Sequence, residues 1–124
     1  FNIEKIIKGI LLNHYSRNYG DIGYHFVIDF SARVWEARSL AYEGAHTKGQ
    51  NEGNIGLVLL GNFQEKRPTK IQIESMEILI GSLRDQYRIK RHRIYGHRDL
   101  SQSLCPGNLL YESIKKFRKG IEQS

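Results

Sequence analysis

Asn54-Ile-Gly-Leu-Val-Leu-Leu60 is apolar from Ile55 onward and is held between Gly53 and Gly61. A run of this length has the size of a strand, and the lack of a polar alternate position means that both of its faces are covered. It therefore predicts a central strand with other elements packed around it. Upstream, Tyr24-His-Phe-Val-Ile28 is aromatic and β-branched, and Phe30-Ser-Ala-Arg33 can turn the chain into Val34-Trp-Glu36, which predicts a hairpin. Period-two alternation would put Tyr24, Phe26 and Ile28 on one face and His25, Val27 and Asp29 on the other. Further upstream, Ile3, Ile6, Ile7, Ile10 and Leu11 fall at helical spacing, with Glu4 near the start and Gly20 beyond the end. That pattern predicts an amphipathic helix over roughly 3–18.

Downstream of the central run, Pro68 precedes Thr69, and Gln72 follows three residues later, a capping-box signature. Met76, Leu79, Ile80, Leu83 and Tyr87 then form one apolar stripe, so a helix is expected over about 70–87. Arg93-Ile-Tyr95 reads as a short strand that delivers His97 at its end, and Leu110, Ile114, Phe117 and Ile121 mark a closing helix. The order α-β-β-β-α-β-α describes an α/β (mixed) fold, a central mixed β-sheet flanked by helices, in a single domain over residues 1–124.

Composition agrees with one soluble domain: 124 residues, 40% apolar and 26% charged. The single Cys forbids an internal disulfide, so packing must hold the fold. No apolar stretch approaches bilayer length, and no basic-then-apolar leader opens the chain as given, so no membrane span is expected. A net charge of +6 favours polyanionic surroundings without choosing among nucleic acid, anionic lipid and cell wall. The densest basic run, Arg88-Ile-Lys-Arg-His-Arg93, has no interleaved aromatic residue to stack on bases and reads as a solvated turn. No nucleic-acid partner is expected. A basic nucleic-acid-binding domain stays open on charge alone, with a strongly salt-dependent duplex affinity as its signature.

Chemistry concentrates in Tyr95-Gly-His-Arg-Asp-Leu-Ser-Gln-Ser-Leu-Cys-Pro-Gly107, where Cys105 lies eight residues after His97 in a loop closed by Pro-Gly. Imidazole nitrogen and thiolate sulfur are preferred zinc ligands, and such a loop can bring two of them onto one ion. Two ligands do not make a site. A lone Cys also serves as a small buried apolar residue, and a lone His as a hydrogen-bonded structural one.

Asp21-Ile-Gly-Tyr-His-Phe26, Gly44-Ala-His-Thr-Lys-Gly-Gln-Asn51 leading into Asn54 to Phe63, and Gly96-His-Arg-Asp99 with Cys105-Pro-Gly107 together resemble the zinc-dependent N-acetylmuramoyl-L-alanine amidases. This is the family shared by phage lysozyme-type amidases and peptidoglycan recognition proteins. The resemblance runs from about residue 3 to residue 117 and implies hydrolysis of the amide joining N-acetylmuramic acid to L-alanine in peptidoglycan. It implies a Zn2+ cofactor, with His97 and Cys105 as two of three protein ligands. Tyr24 matches the active-site tyrosine. A phenol with a pKa near 10 is a poor base, so its expected task is to orient the water or donate to the developing oxyanion. His25 is read as structural. Ser103 stands where relatives carry a lysine or threonine that bonds the tetrahedral intermediate. His14 and His46 match histidines lining the substrate groove, and Arg38 suits a stem-peptide carboxylate. Each has a plainer reading: a strand aromatic, a loop serine, a helix-terminal histidine or a solvated arginine.

In the family, a strand ahead of the first helix carries the remaining zinc ligand, a histidine. With a helix expected from residue 3, that N-terminal strand is apparently missing, no third ligand is found in the chain, and trimming is the expected cause. A peptidoglycan-recognition module that binds without cutting is the alternative, although its members commonly replace the cysteine. The resemblance places the protein outside the cell or in the envelope, working as a monomer on a muramyl-peptide substrate.

Overall fold

The computed structural model describes residues 9–15, 24–37, 53–100 and 106–121, without the side chains of residues 13–15 and 100. Five strands form one mixed sheet: β1 (Gly9–Tyr15), β2 (Phe26–Ile28), β3 (Val34–Glu36), β4 (Asn54–Leu60) and β5 (Ile94–Gly96), in the spatial order β3-β2-β4-β1-β5. Among the described residues, three α-helices follow β4: α1 (Lys70–Tyr87), the short α2 (His97–Leu100) and α3 (Asn108–Lys119).

β4 is the predicted central strand. All seven of its residues are buried, with β2 parallel on one side and β1 parallel on the other. The hairpin forms as expected, with Phe26 opposite Glu36 and Ile28 opposite Val34. Alternation fails at its first residues, however. Phe26 and Ile28 pack toward the helices, while Tyr24 packs with Val27, Val58 and Leu60 on the other face. The strand begins only at Phe26, and His25 sits in a bend that breaks the period.

The largest correction concerns the predicted N-terminal helix over 3–18. Residues 9–15 form β1, in parallel register with β4 from Gly9 beside Asn54 to Tyr15 beside Leu60, and with β5 from Ile10 beside Ile94 to Leu12 beside Gly96. The other residues of that span lie outside the described ones. Ile10, Leu11 and Leu12 are all fully buried. Three consecutive apolar residues point around much of a helix, which buries one stripe, whereas a strand with neighbours on both edges and both faces buries them all. Each buried Ile or Leu contributes about 1.5–3 kcal/mol, against helix-propensity differences of about 0.7 kcal/mol or less per residue. Burial wins. Among the described residues it is the first strand of the sheet in chain order.

α1 and α3 back one face. Ile10, Leu12, Ile55, Leu57, Leu59 and Ile94 meet Met76, Ile80 and Leu83 of α1 and Leu110 and Ile114 of α3. The α1 capping box is complete: Thr69 Oγ1 accepts from the Gln72 N–H at 3.2 Å, and Gln72 Oε1 from the Thr69 N–H at 3.1 Å. The amide nitrogen of Gln72 also donates to the carbonyls of Leu60 and Asp29, tying the ends of β4 and β2 together. α3 ends at Gly120, whose φ of 76° stops the helix, so Ile121 lies beyond it and stays 51% exposed rather than joining the apolar stripe. The basic run is solvated as expected. Ile89 is buried beneath it, and the exposed Arg91, His92 and Arg93 make one 3-10 turn. Among the described residues, no helix is long and apolar enough to cross a membrane.

Candidate active site

Four of the strands, β1, β2, β4 and β5, run parallel, so their carboxyl ends share one edge of the domain. Loops at that edge are where α/β sheets present chemistry. His97 is the first residue there after β5, as the sequence predicts, and it opens α2. Burial pushes its pKa below the ordinary 6.5, which favours the neutral imidazole. That form has the lone pair a metal needs.

Gly96 sets the local geometry. A side chain there would bring a Cβ to 2.8 Å from Cδ1 of Tyr111 and 3.0 Å from Cδ of Pro106. The backbone just before His97 is thus pressed against the residue just after Cys105, leaving no room for a methyl group. Further bonds pin the start of α3: the Leu109 N–H donates to the Phe63 carbonyl at 2.9 Å, and the Asn108 N–H to Gln64 Oε1 at 2.6 Å. At Gly107, where φ is 91°, a Cβ would meet the Phe63 carbonyl carbon at 2.6 Å.

Tyr24 is 6% exposed, on the face opposite the one that α1 and α3 cover. β4 and β1 stand between its strand and β5, three strand spacings or about 14 Å. His25 has the structural role expected of it. It is 1% exposed, its Nδ1 accepts from the Gly56 N–H at 2.9 Å, and its own N–H donates to the Gly56 carbonyl. The backbone of His14 lies in β1 beside Leu59, near the carboxyl end of the strand. Arg38, His46, Ser103 and Cys105 lie outside the described residues. Among the described residues, no group of three or more His, Cys, Asp or Glu is placed to hold a metal. Among the described residues, the neutral imidazole of His97 is a donor of the kind a metal takes.

Sequence reasoning missed the cluster beside His97. Asp99 accepts from the Gly96 N–H at 2.8 Å, from Arg118 Nη2 at 2.7 Å and from the Tyr111 hydroxyl. Arg98 lies over the Tyr111 ring at 4.6 Å from its centroid and donates to Asn108 Oδ1 at 2.8 Å. Burial first, and then Asp99, push the Tyr111 phenol above its ordinary pKa. A signal was present: Tyr111, Lys115 and Arg118 recur at i, i+4 and i+7, a second stripe on α3 beside the apolar one.

The described residues thus give a parallel-rich sheet backed by two helices, with a histidine at the carboxyl end of a strand at the sheet's edge and Pro106 packed against the residue before it. Residues 7–108 match the family described as N-acetylmuramoyl-L-alanine amidase, and the chain belongs to that family. The solved amidase LysC from Clostridium intestinale URNW superposes with a TM-score of 0.82 at 26% identity, covering 94% of this chain and 87% of that one. The complex of peptidoglycan recognition proteins LCa and LCx with tracheal cytotoxin gives a TM-score of 0.81 at 30% identity, covering 91% and 83%. Peptidoglycan-recognition protein SD of Drosophila melanogaster is 31% identical over 108 residues, 86% of this chain and 58% of that protein. The chain thus spans less than two thirds of that relative's length.

Proposed function

We propose that this protein hydrolyses the amide between N-acetylmuramic acid and L-alanine in peptidoglycan, with His97 and Cys105 holding a zinc ion. The observation that supports this reading is the close packing of Gly96, the residue before His97, against Pro106, the residue after Cys105 in the chain. Zinc with three protein ligands and an open position polarises a carbonyl and brings the pKa of a bound water near 7. His14 is the first candidate for the third ligand, ahead of the groove role expected from sequence. The family carries that histidine on a strand preceding the rest of the sheet, and β1 is such a strand, paired with the β5 that delivers His97. A His14→Ala variant that loses zinc identifies a ligand, and one that keeps zinc but loses muropeptide affinity identifies a groove residue.

The remaining roles fall to the chain's own groups. His46 and Arg38 bind the muramyl peptide, with the guanidinium on a stem-peptide carboxylate. Ser103 and Tyr24 donate hydrogen bonds to the developing oxyanion. The protein acts as a monomer, outside the cell or in the envelope. Recognition without cleavage is the second reading, favoured by the match to a recognition protein, whereas Cys105 favours the enzyme.

Digestion of purified peptidoglycan, with and without chelator and with zinc added back, separates the two readings. New alanine amino groups released only with metal support the hydrolase, and binding without release supports recognition. Cys105→Ala is expected to abolish cleavage while circular dichroism shows a retained fold, and full activity in that variant would refute the ligand. Tyr24→Phe is expected to lower turnover about 10²–10³-fold with binding kept. Unchanged turnover would leave Tyr24 with the packing role that its burial with Val27 and Val58 already describes.

A further inference from the structure

Asp99 joins two elements at the edge of the site. Its carboxylate takes the Gly96 N–H of β5 on one side and, on the other, the Tyr111 hydroxyl and Arg118 of α3. The pair with Arg118 has side-chain exposures of 26% for Arg118 and 20% for Asp99. The Tyr111 ring that reaches Asp99 also covers Gly96 beside Pro106. One tyrosine therefore touches the segment leading into His97, and the same packing corner holds the segment leading out of Cys105. Arg98, which lies over this ring, adds a third tie, through Asn108, to the start of α3.

We propose that Asp99, Tyr111 and Arg118 form a positioning brace for the metal centre, fixing the turn that presents His97 against Pro106. The inference rests on the amidase reading above and extends it to residues that touch neither the substrate nor the ion. Its physical basis is that a metal site pays for any looseness in its ligands. Supporting groups around first ligands commonly change metal affinity about 10–100-fold. The Tyr111 hydroxyl acts by holding Asp99, and Asp99 by holding the Gly96 amide.

The test compares wild type with Tyr111→Phe, Asp99→Asn and Asp99→Ala. Zinc affinity is read by chelator competition, and the thiolate-to-metal absorption is read after cobalt substitution. Thermal unfolding of each metal-free protein is measured alongside. Tyr111→Phe keeps the ring over Gly96 and removes only the hydroxyl, so it reports on the brace even where Asp99→Ala does not fold. The expected result is zinc affinity weakened about 10–100-fold in Tyr111→Phe and Asp99→Ala, a perturbed cobalt spectrum, and partial rescue in Asp99→Asn, whose amide oxygen still accepts from Gly96. Wild-type affinity and spectrum in the variants would overturn the brace and leave the amidase reading intact. Losses that only track the unfolded fraction of the metal-free protein would overturn it as well. A wild-type protein that holds neither zinc nor cobalt would sink the metal reading and the brace with it.

Discussion

Asp29 and Asp99 stand at corresponding places, each just past the carboxyl end of a parallel strand, and each gathers donors around one carboxylate. Their partners differ in origin. Asp29 accepts from the N–H groups of Ser31 and Arg33, from Arg33 Nε and from Trp35 Nε1, all at 2.8–2.9 Å and all within six residues. It closes the β2–β3 hairpin on itself. Asp99 has one local partner, Gly96, and takes the others from α3, 12 and 19 residues away. A carboxylate fed by its own turn stabilises a hairpin. One fed by another element fixes two segments against each other, which is what a site built from separate loops requires.

The largest expected break comes from Gly96→Ala. The new methyl group would lie within 3.0 Å of both Tyr111 and Pro106, an overpacking that costs about 1–3 kcal/mol and displaces the phenol from Asp99. Urea denaturation would show the lost stability, and wall digestion its consequence for the site. Asp29→Asn should break less. It removes an acceptor from the donors at Arg33 and Trp35, at about 1 kcal/mol, and it leaves zinc affinity and wall cleavage as in wild type because its partners are local. Loss of metal binding in that variant would erase the contrast between the two corners.

The smallest effect sharpens the same contrast through pH. Burial alone would raise the Asp29 pKa, but the hydrogen bonds from Trp35, Arg33 and Ser31 outweigh it and hold the carboxyl below its ordinary 3.8. A depressed folded pKa contributes stability that is present above about pH 3.8 and is lost as pH falls through the lower folded value. Trp35 is the only tryptophan and donates to this carboxylate. Its emission should therefore change in acid below pH 3.8 in wild type and not in Asp29→Asn, and a matching acid transition in both would assign the change elsewhere.

Much was legible where signals are local. The capping box at Thr69 and Gln72 marked the start of α1, the alternation of turn and β-branched residues marked the hairpin, and the run over residues 54–60 marked the buried central strand. Family-specific segments singled out His97 and Cys105. The face of Tyr24 was misread because one bend at His25 shifts a period of two, and a bend of one residue leaves little trace in composition. Residues 9–15 were misread because Ile10 and Leu11 continue the helical spacing of Ile3, Ile6 and Ile7 and also fit a doubly covered strand.

By itself, then, the sequence determined the family, the central strand and two of the helices, all through patterns spanning a few positions. Tertiary structure alone decided that β1 is a strand, since only neighbours on both edges and both faces reward burying all three of its consecutive apolar residues. It also decided that Asp99 meets Tyr111 and Arg118, because those contacts exist only once α3 has packed its apolar stripe against the sheet. Hydrophobic burial brings that helix into place, and the polar brace forms where the packing leaves its side chains.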